Sequence, residues 1–283
     1  MIVMIENNEY DKARESLIEE LHPLILLARM AGENINKYRP DGVDINLKNG
    51  DVFDPFTEAD VTTDELIRSE IAKLFPDDKI LSEENSTRPE NYSGNVWMID
   101  PLDGTKDFIN GFDRYSVMIG QCIDGIPTIG LILNPTTSEL FFGKKGYGSW
   151  RIDSNGNVSR LAVSSIDNVP SATLIASRAS GEPREMEAYL RSVGFANVIE
   201  DSSFGLRAAS IGVRNGDVFV CTNNRACKWD VCAPQVILEE AGGKLTNLDG
   251  SPIDYTSPSY KLDKLFAGSN GLLHDSLIEL LAK

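Results

Sequence analysis

Two aspartates, Asp100 and Asp103, carry the strongest chemical signal in the sequence. They follow an apolar run that begins at Val96, and the glycine Gly104 comes directly after them. An apolar run that meets proline and glycine predicts a buried strand entering a tight turn. Two carboxylates held so close repel each other unless a cation lies between them or one keeps its proton. Because Mg²⁺ takes carboxylate oxygens together with substrate phosphates, the pair predicts metal-dependent phosphate chemistry.

The same segment also has a purely structural interpretation. Asp-Pro and Asp-Gly pairs are common in turns, and Asp is a common residue at helix N-termini. Gly104 would let the backbone approach a ligand closely, and N–H groups at the start of the next helix would suit a phosphate. Other carboxylates have to decide between the two interpretations.

Further acidic side chains stand at the ends of predicted elements. Asp60 lies on or beside the apolar face of the helix expected over residues 59–75, where an acid must be paired or bind a cation. Glu83 and Glu84 follow the strand expected over residues 79–82, and Asp230 is expected as the N-cap of a helix. Each has an ordinary alternative, as a first-turn helix acid, a solvated turn or a cap. Together they indicate one acidic site.

The elements that must position these acids change character along the chain. Residues 10–38 predict a helix that Pro23 kinks or restarts. Strand-like runs at 96–99, 116–123, 128–133 and 140–143 are typical of an antiparallel sheet. Beyond Trp150, strands at 173–176, 196–199 and 218–221 alternate with helices at 184–193, 206–213 and from about 230. We expect layered sheets and helices in two lobes, over residues 1–155 and 156–283.

Composition narrows the class of protein. The 283 residues are 41% hydrophobic and 25% charged, with a net charge of −16, which argues against nucleic-acid polymers and anionic membranes as partners. No apolar run has the length of a membrane span and no signal peptide is apparent, so a cytoplasmic location is expected. A small anionic substrate remains compatible, and the sequence leaves open whether the protein is a monomer or a homodimer.

The cysteine and histidine content leaves the carboxylates as the candidate catalytic groups. The four cysteines form no C-x-x-C pair and are expected to be reduced packing residues. Only two histidines are present, both within terminal helical patterns. If the protein is a hydrolase, carboxylates must carry the chemistry.

Five segments of the chain resemble the inositol monophosphatase superfamily of Mg²⁺-dependent, lithium-sensitive phosphomonoesterases, over nearly the whole length. They are Ala28-Arg29-Met30-Ala31-Gly32, Thr57-Glu58-Ala59-Asp60, Ser82-Glu83-Glu84, Asp100-Pro101-Leu102-Asp103-Gly104-Thr105 and Trp229-Asp230-Val231-Cys232-Ala233. The resemblance implies an α/β fold of the αβαβα sandwich type and a site that holds two or three Mg²⁺ ions.

The resemblance also implies roles for individual residues. The first metal would be held by Glu83, Asp100 and the Leu102 carbonyl, and a third, looser ion would lie near Glu83. The second metal would be held by Asp100, Asp103 and Asp230. Asp60 and Thr105, with Glu83, would be the catalytic group that orients or deprotonates the attacking water. The backbone N–H groups of Gly104 and Thr105 would receive the phosphate.

Within the superfamily the sequence is most similar to the 3′(2′),5′-bisphosphate nucleotidases, which convert adenosine 3′,5′-bisphosphate to AMP. Lys106 follows the Gly-Thr pair as in that branch, and Asn223 stands where inositol enzymes place a glutamate. A second phosphate on the substrate would suit Lys106, Ser177, Arg207 and Arg178. Against this branch, the segment from Ser177 lacks the histidine that nucleotidases commonly have there.

Other functions remain open at this point. An inositol monophosphatase or a broad sugar-phosphate phosphatase is the nearest alternative. A haloacid-dehalogenase-type phosphatase needs an Asp-x-Asp motif, whereas this chain has Asp-x-x-Asp. A metal-binding regulator without activity is the non-enzymatic alternative.

Overall fold

The computed structural model describes residues 2–38, 45–47, 55–178 and 185–282. In these ranges the helices are α1 (Ile2–Asn36), α2 (Glu58–Leu74), α3 (Thr105–Ile109), α4 (Glu185–Ser192), α5 (Phe204–Gly212), α6 (Lys228–Glu240) and α7 (His274–Leu281). The strands of the first half are β1 (Ile45–Leu47), β2 (Pro55–Thr57), β3 (Lys79–Ser82), β4 (Asn95–Asp103), β5 (Ser116–Ile123), β6 (Ile126–Leu133), β7 (Leu140–Lys144), β8 (Gly148–Ile152) and β9 (Val158–Arg160). Those of the second half are β10 (Thr173–Ala176), β11 (Asn197–Glu200), β12 (Val218–Val220), β13 (Lys244–Asn247) and β14 (Phe266–Ser269).

A seven-stranded sheet, in the order β3-β4-β5-β6-β7-β8-β9, forms the first half of the molecule. Only its β3–β4 pair is parallel, and the other neighbours are antiparallel. The apolar stripes of α1 and α2 pack on one face, in a core that includes Leu21, Ile67, Trp97 and Leu131. The antiparallel arrangement predicted from the alternating runs is confirmed for β4 to β7, which place the acidic segment at the end of β4.

A five-stranded sheet, in the order β11-β10-β12-β14-β13, forms the second half. Helices α5 and α6 lie between the two sheets, because Val231 and Leu238 of α6 pack in one core with Met98 of the first sheet and Phe219 of the second. Helices α4 and α7 cover the outer face of the second sheet. The layers therefore alternate as an αβαβα sandwich, which confirms the predicted fold class. The division into lobes at residues 155 and 156 stays a prediction.

Helix α1 differs from the expectation in two respects, since it begins at Ile2 rather than near residue 10. It also continues through Pro23 without a break, so the predicted restart at this residue is wrong. Leu17, Leu21, Leu24 and Ala28 are all buried against the sheet, and this packing compensates for the hydrogen bond that proline cannot donate. Within the described residues, none of the helices combines the length and hydropathy that a membrane-spanning segment requires.

Helix α6 lies directly on two glycines of the first sheet. Gly120 of β5 and Gly130 of β6 are paired opposite each other. A Cβ at Gly120 would lie 2.7 Å from Cys232 Sγ and 2.9 Å from Ala233 N, and one at Gly130 would lie 2.7 Å from Ala233 O. The two glycines therefore allow the backbone of α6 to approach the sheet closely, and α6 carries Asp230 near its start.

Gly120→Ala is expected to destabilise the protein by about 1–3 kcal/mol, because the added methyl group overpacks the contact with α6. Any catalytic activity of the predicted acidic site should fall as well, because α6 has to move and Asp230 moves with it. Urea unfolding and kcat measure the two effects. Gly212→Ala is the comparison, because its nearest contact is a flexible side-chain atom of Leu161 at 3.2 Å. Equal stability of the two variants would contradict the close approach of α6.

His274 is buried between two hydroxyl groups of the second sheet. Thr246 Oγ1 donates to the carbonyl of Asn247 at 2.8 Å, so it accepts a hydrogen bond from Nε2 of His274, also at 2.8 Å. Nδ1 then accepts from Ser269 Oγ at 2.9 Å. This arrangement fits the neutral imidazole, and burial, followed by the charge of Lys244, lowers the pKa of His274 to about 4.

His274→Gln is expected to reduce the pH dependence of stability. Above pH 6.5 the imidazole is neutral in both folded and unfolded chains, so its contribution is complete and constant. As pH falls from 6.5 to about 4, the unfolded chain takes up the proton first, and the contribution of His274 is lost. The Tm difference between wild type and variant should therefore shrink over this interval. A constant difference from pH 4 to pH 8 would contradict the neutral assignment.

Candidate active site

The end of β4 and the start of α3 form the centre of the site. Asp100 is only 2% exposed and Asp103 6%, and both belong to β4, which continues past the proline between them with an irregular register. Gly104 has a φ of +92°, and a Cβ there would lie 3.0 Å from the carbonyl oxygen of Arg114. A residue with a side chain would be strained at this position. The sharp turn therefore brings Thr105 beside the two aspartates.

Asp100 lies in a concentration of negative charge. Burial, followed by the charges of Glu83, Asp103 and Asp230, raises the pKa of Asp100 well above its usual value, and a hydrogen bond with Glu83 raises it further. A hydrogen bond between two carboxyl groups requires a proton on one of them. The protein thus gathers more anionic charge here than it can keep ionised by itself, and either protons or a cation must neutralise it.

Asp103 is held from the opposite half of the molecule. Its Oδ2 accepts hydrogen bonds from Ser203 Oγ at 2.6 Å and from the backbone N–H of Gly205 at 2.9 Å. Ser116 Oγ lies 2.9 Å from Ser203 Oγ. Burial raises the pKa of Asp103 to about 7, although these hydrogen bonds and the charge of Arg207 oppose the rise. The start of α5 therefore orients an acid that belongs to the first sheet.

Asp60 and Thr105 are brought together although 45 residues separate them. Asp60 Oδ2 accepts from the backbone N–H and the hydroxyl of Thr57, at 2.7 Å and 2.6 Å, in a capping box at the start of α2. Its Oδ1 lies 3.2 Å from Thr105 Oγ1, which is also 3.0 Å from the carbonyl oxygen of Leu102. Asp60 is buried, as its position on the helix predicted. The side chain of Asp60 therefore both caps α2 and contacts Thr105.

Asp230 corrects a sequence prediction. The N-cap of α6 is Cys227, and Asp230 is the third helical residue, whose Oδ2 accepts from the backbone N–H of Cys227 at 2.6 Å. The prediction that Asp230 itself is the N-cap is therefore wrong, because the N-cap lies three residues earlier than expected. Pro234 consequently lies beyond the first turn. Asp60 and Asp230 thus have equivalent places at the starts of their helices.

The predicted substrate-binding residues differ in how far they are exposed to solvent. Lys106 on α3 and Ser177 after β10 are both partly exposed. Arg207 is 2% exposed and its Nε donates to the carbonyl of Asp201 at 2.8 Å, so it is enclosed by protein rather than solvated at the surface. Arg178, 27% exposed in its side chain, pairs with the buried Asp107 at 3.3 Å.

Several residues of the site were missed by sequence reasoning. Ser203, Gly205 and Ser116 contact the carboxylate of Asp103, directly or through a hydroxyl. A serine before a helix indicates a cap, and Ser203 does accept from the N–H of Leu206 at 3.0 Å. Nothing local in the sequence connects this cap to an aspartate 100 residues away.

The oxygen atoms that could bind a metal at this site suit a hard divalent cation. They belong to carboxylates and a main-chain carbonyl, the ligands that Mg²⁺ prefers. A cation at this place would offset the burial and the neighbouring negative charges that raise the pKa of Asp100. In the described ranges, however, no three Asp, Glu, His or Cys side chains are grouped closely enough to hold an ion as they stand. One oxygen of Asp103 and one of Asp230 are turned toward protein donors instead.

Comparison with known proteins agrees with the fold and with a carboxylate site that suits a divalent cation. The inositol monophosphatase family profile matches residues 18–283. The chain is 28% identical over 266 residues to a histidinol-phosphatase of Mycobacterium tuberculosis, covering 93% of this chain and 98% of that protein. It is 27% identical over 241 residues to the 3′(2′),5′-bisphosphate nucleotidase CysQ of Aggregatibacter actinomycetemcomitans, covering 83% and 87%.

A solved structure of an IMPase from Thermotoga maritima aligns with a TM-score of 0.78 at 26% identity, covering 93% of this chain and 97% of that chain. Proteins of the matched family are metal-dependent phosphatases that act on small phosphorylated substrates. The carboxylate-rich site between two sheets, the matched profile and the shared fold lead to one conclusion: the chain belongs to the inositol monophosphatase family and is a phosphoric monoester hydrolase.

Proposed function

We propose that the protein hydrolyses a small bisphosphorylated nucleotide, adenosine 3′,5′-bisphosphate, to AMP in a Mg²⁺-dependent reaction. The reaction chemistry is supported by the pair of Asp60 and Thr105 beside the buried acids of β4. The choice of substrate is supported by one observation, the ion pair of Arg178 with Asp107, which holds a cation against α3, the helix that carries Lys106. The CysQ relative is named for this activity.

The proposed metal ligands are the acidic residues and one carbonyl described above. They are Glu83, Asp100, Asp103, Asp230 and the main-chain oxygen of Leu102, which would hold two or three Mg²⁺ ions. When bound, Mg²⁺ would lower the pKa of the attacking water and stabilise negative charge on the phosphate and the leaving oxygen. The raised pKa of Asp100, caused by burial and then by the charges of Glu83, Asp103 and Asp230, marks the place where positive charge is required.

Thr105 and Asp60 would orient the attacking water and remove its proton. Thr105 Oγ1 donates to Asp60 Oδ1, so the lone pairs of the hydroxyl can accept a proton from water while its own proton moves to Asp60. Thr57 holds the other oxygen of Asp60 and fixes its direction. Attack is then in line with the leaving group, with no covalent enzyme intermediate. The backbone N–H groups of Gly104 and Thr105 would receive the phosphate.

Lys106 and Arg178 would bind the second phosphate. Arg178 is fixed by two contacts, the carboxylate of Asp107 and the ring of Phe112, whose centroid is 4.2 Å from its Cζ. Ser177 precedes Arg178 and would contribute at the same edge of the second sheet. Arg207, because it is buried, would act indirectly by shaping the start of α5 and so the orientation of Asp103.

A substrate comparison tests this assignment. With Mg²⁺, kcat/KM is measured for adenosine 3′,5′-bisphosphate, inositol 1-phosphate and histidinol phosphate in wild type and in Arg178→Met. We expect the bisphosphate to be preferred, and the variant to lose roughly ten- to a hundredfold on the bisphosphate alone, the value of a charge-assisted contact. Lys264→Met is the control, because Lys264 pairs with Asp249 on an exposed loop.

Other outcomes identify the alternatives. A preference for inositol 1-phosphate that Arg178→Met leaves unchanged would favour an inositol monophosphatase. Histidinol phosphate is included because of the named relative, and its cationic amine should not depend on Arg178. Inversion of configuration at an isotopically chiral phosphate, which a single attack by water gives, would exclude an aspartyl nucleophile, because its two successive displacements give net retention. Absence of activity on all substrates would favour a non-catalytic regulator.

A further inference from the structure

Arg88 makes an unusual set of contacts between β3 and β4. Its Nη1 donates to the carbonyl of Ser82, and its Nη2 donates to the carbonyl of Glu83 at 3.0 Å. Both acceptors are main-chain oxygens of the turn that carries the Glu83 side chain. A guanidinium that binds two successive carbonyls fixes the direction of that turn, and it does so through the backbone rather than through the carboxylate.

The same guanidinium contacts the start of α6. Its Cζ lies 5.0 Å from the ring centroid of Trp229 and 5.0 Å from that of Tyr260. The two rings stack on each other, with centroids 5.3 Å apart and planes inclined by 13°. A cation placed against aromatic faces is attracted by the ring electrons, most strongly at sites that are partly removed from water.

Trp229 and Tyr260 are themselves tied to the residues around Asp230. Trp229 directly precedes Asp230 in α6 and is 4% exposed. The N–H of Lys228 donates to the carbonyl of Tyr260 at 2.9 Å. Arg88 therefore connects two segments from different halves of the chain, the turn with Glu83 and the helix start with Asp230.

We infer that Arg88 is a positioning residue that holds the turn of Glu83 against the start of α6, so that Glu83 and Asp230 keep the separation a shared metal centre requires. This inference rests on the proposed role of the two acids as metal ligands. Arginine suits the task because its planar fork reaches two carbonyls while its face packs on aromatic rings, which a lysine ammonium cannot do. Residues that orient metal ligands typically change metal affinity about 10- to 100-fold when they are removed.

Metal binding without substrate tests the inference. Mn²⁺ affinity is measured by titration calorimetry and by the EPR signal of free Mn²⁺ in wild type, Arg88→Met, Arg88→Lys and Tyr260→Leu. We expect Mn²⁺ affinity to fall about tenfold or more in Arg88→Met and Arg88→Lys, and less in Tyr260→Leu, which keeps the two carbonyl contacts. Because the expected loss is in metal affinity, raising the Mg²⁺ concentration should bring the activity of Arg88→Met back toward that of wild type.

Arg160→Met is the matched control. Arg160 also lies over an aromatic ring, that of Trp150 at 5.9 Å, but it belongs to β9 at the far edge of the first sheet. A loss of Tm with unchanged Mn²⁺ affinity in Arg88→Met would overturn the inference and leave Arg88 a purely structural residue. If Arg88→Met does not fold, Tyr260→Leu decides, and wild-type Mn²⁺ affinity in that variant would overturn the inference.

Failure of the proposed function would give a different result. In that case wild type itself would not bind Mn²⁺, or Glu83→Gln would bind it as tightly as wild type. If wild type binds Mn²⁺ and Glu83→Gln does not, while Arg88→Met binds normally, the proposed metal site stands and only the role of Arg88 is wrong.

Discussion

Asp100→Asn is expected to lower kcat with Mg²⁺ by roughly 10³-fold or more. Each loss of about 1.4 kcal/mol in transition-state stabilisation lowers the rate tenfold, and a bound metal ion contributes several times that amount. Without metal, the same variant should be more stable than wild type. Burial and three neighbouring acids raise the pKa of Asp100, and a neutral amide removes this unfavourable charge. The two opposite effects come from one cause, a carboxylate that is placed for a cation.

Thermal melts with and without Mg²⁺, together with kcat, measure both effects. Wild type should gain Tm when Mg²⁺ is added, and Asp100→Asn should gain little. Asp275→Asn is the matched control, because the side chain of Asp275 is 87% exposed and pairs with Lys244 at the surface. Activity of Asp100→Asn within tenfold of wild type would refute the metal assignment.

Thr105→Val is expected to lower kcat by about 10²-fold or more, the usual effect of removing a group that transfers a proton. Valine keeps the shape of threonine but cannot donate to Asp60 Oδ1 or hold a water molecule. The cost in stability should be small, about 1 kcal/mol, because Thr105 is partly exposed. KM should change little, since the phosphate would be received by backbone N–H groups that the variant retains.

Thr105→Ser is the conservative control, because serine keeps the hydroxyl group. It should retain most of the activity, within about tenfold of wild type. Steady-state kinetics at saturating Mg²⁺ compare the three proteins, and circular dichroism checks the fold. If valine and serine variants are equally active, the hydroxyl of Thr105 takes no part in moving the proton, and its pairing with Asp60 is only a structural contact.

Much of the local structure could be predicted from the sequence because it depends on neighbouring residues. The strand runs at 116–123 and 173–176 agree with β5 and β10 in both limits. The burial of Asp60 followed from its place on the apolar side of α2. Helix boundaries were less accurate, as Asp230 shows, because a cap depends on the backbone of one residue before the helix.

The order of the strands and the contacts across the two sheets could not be predicted in this way. Strand β14 lies between β12 and β13, although it follows both in the chain. The hydrogen bonds from Ser203 and Gly205 to Asp103 exist only because α5 packs against the first sheet. Periodicity describes which face of an element is apolar, and many arrangements of the same elements would satisfy it.

By itself, the sequence determined the family resemblance, the layered fold class and the positions of the acids at the ends of strands and starts of helices, since these depend on local spacing and composition. The tertiary structure alone decided which acids share one buried environment, that Arg207 is enclosed while Arg178 stays accessible, and that Arg88 connects two distant segments. These features depend on how the two sheets and the helices between them pack, and contacts of that kind form between residues far apart in the chain.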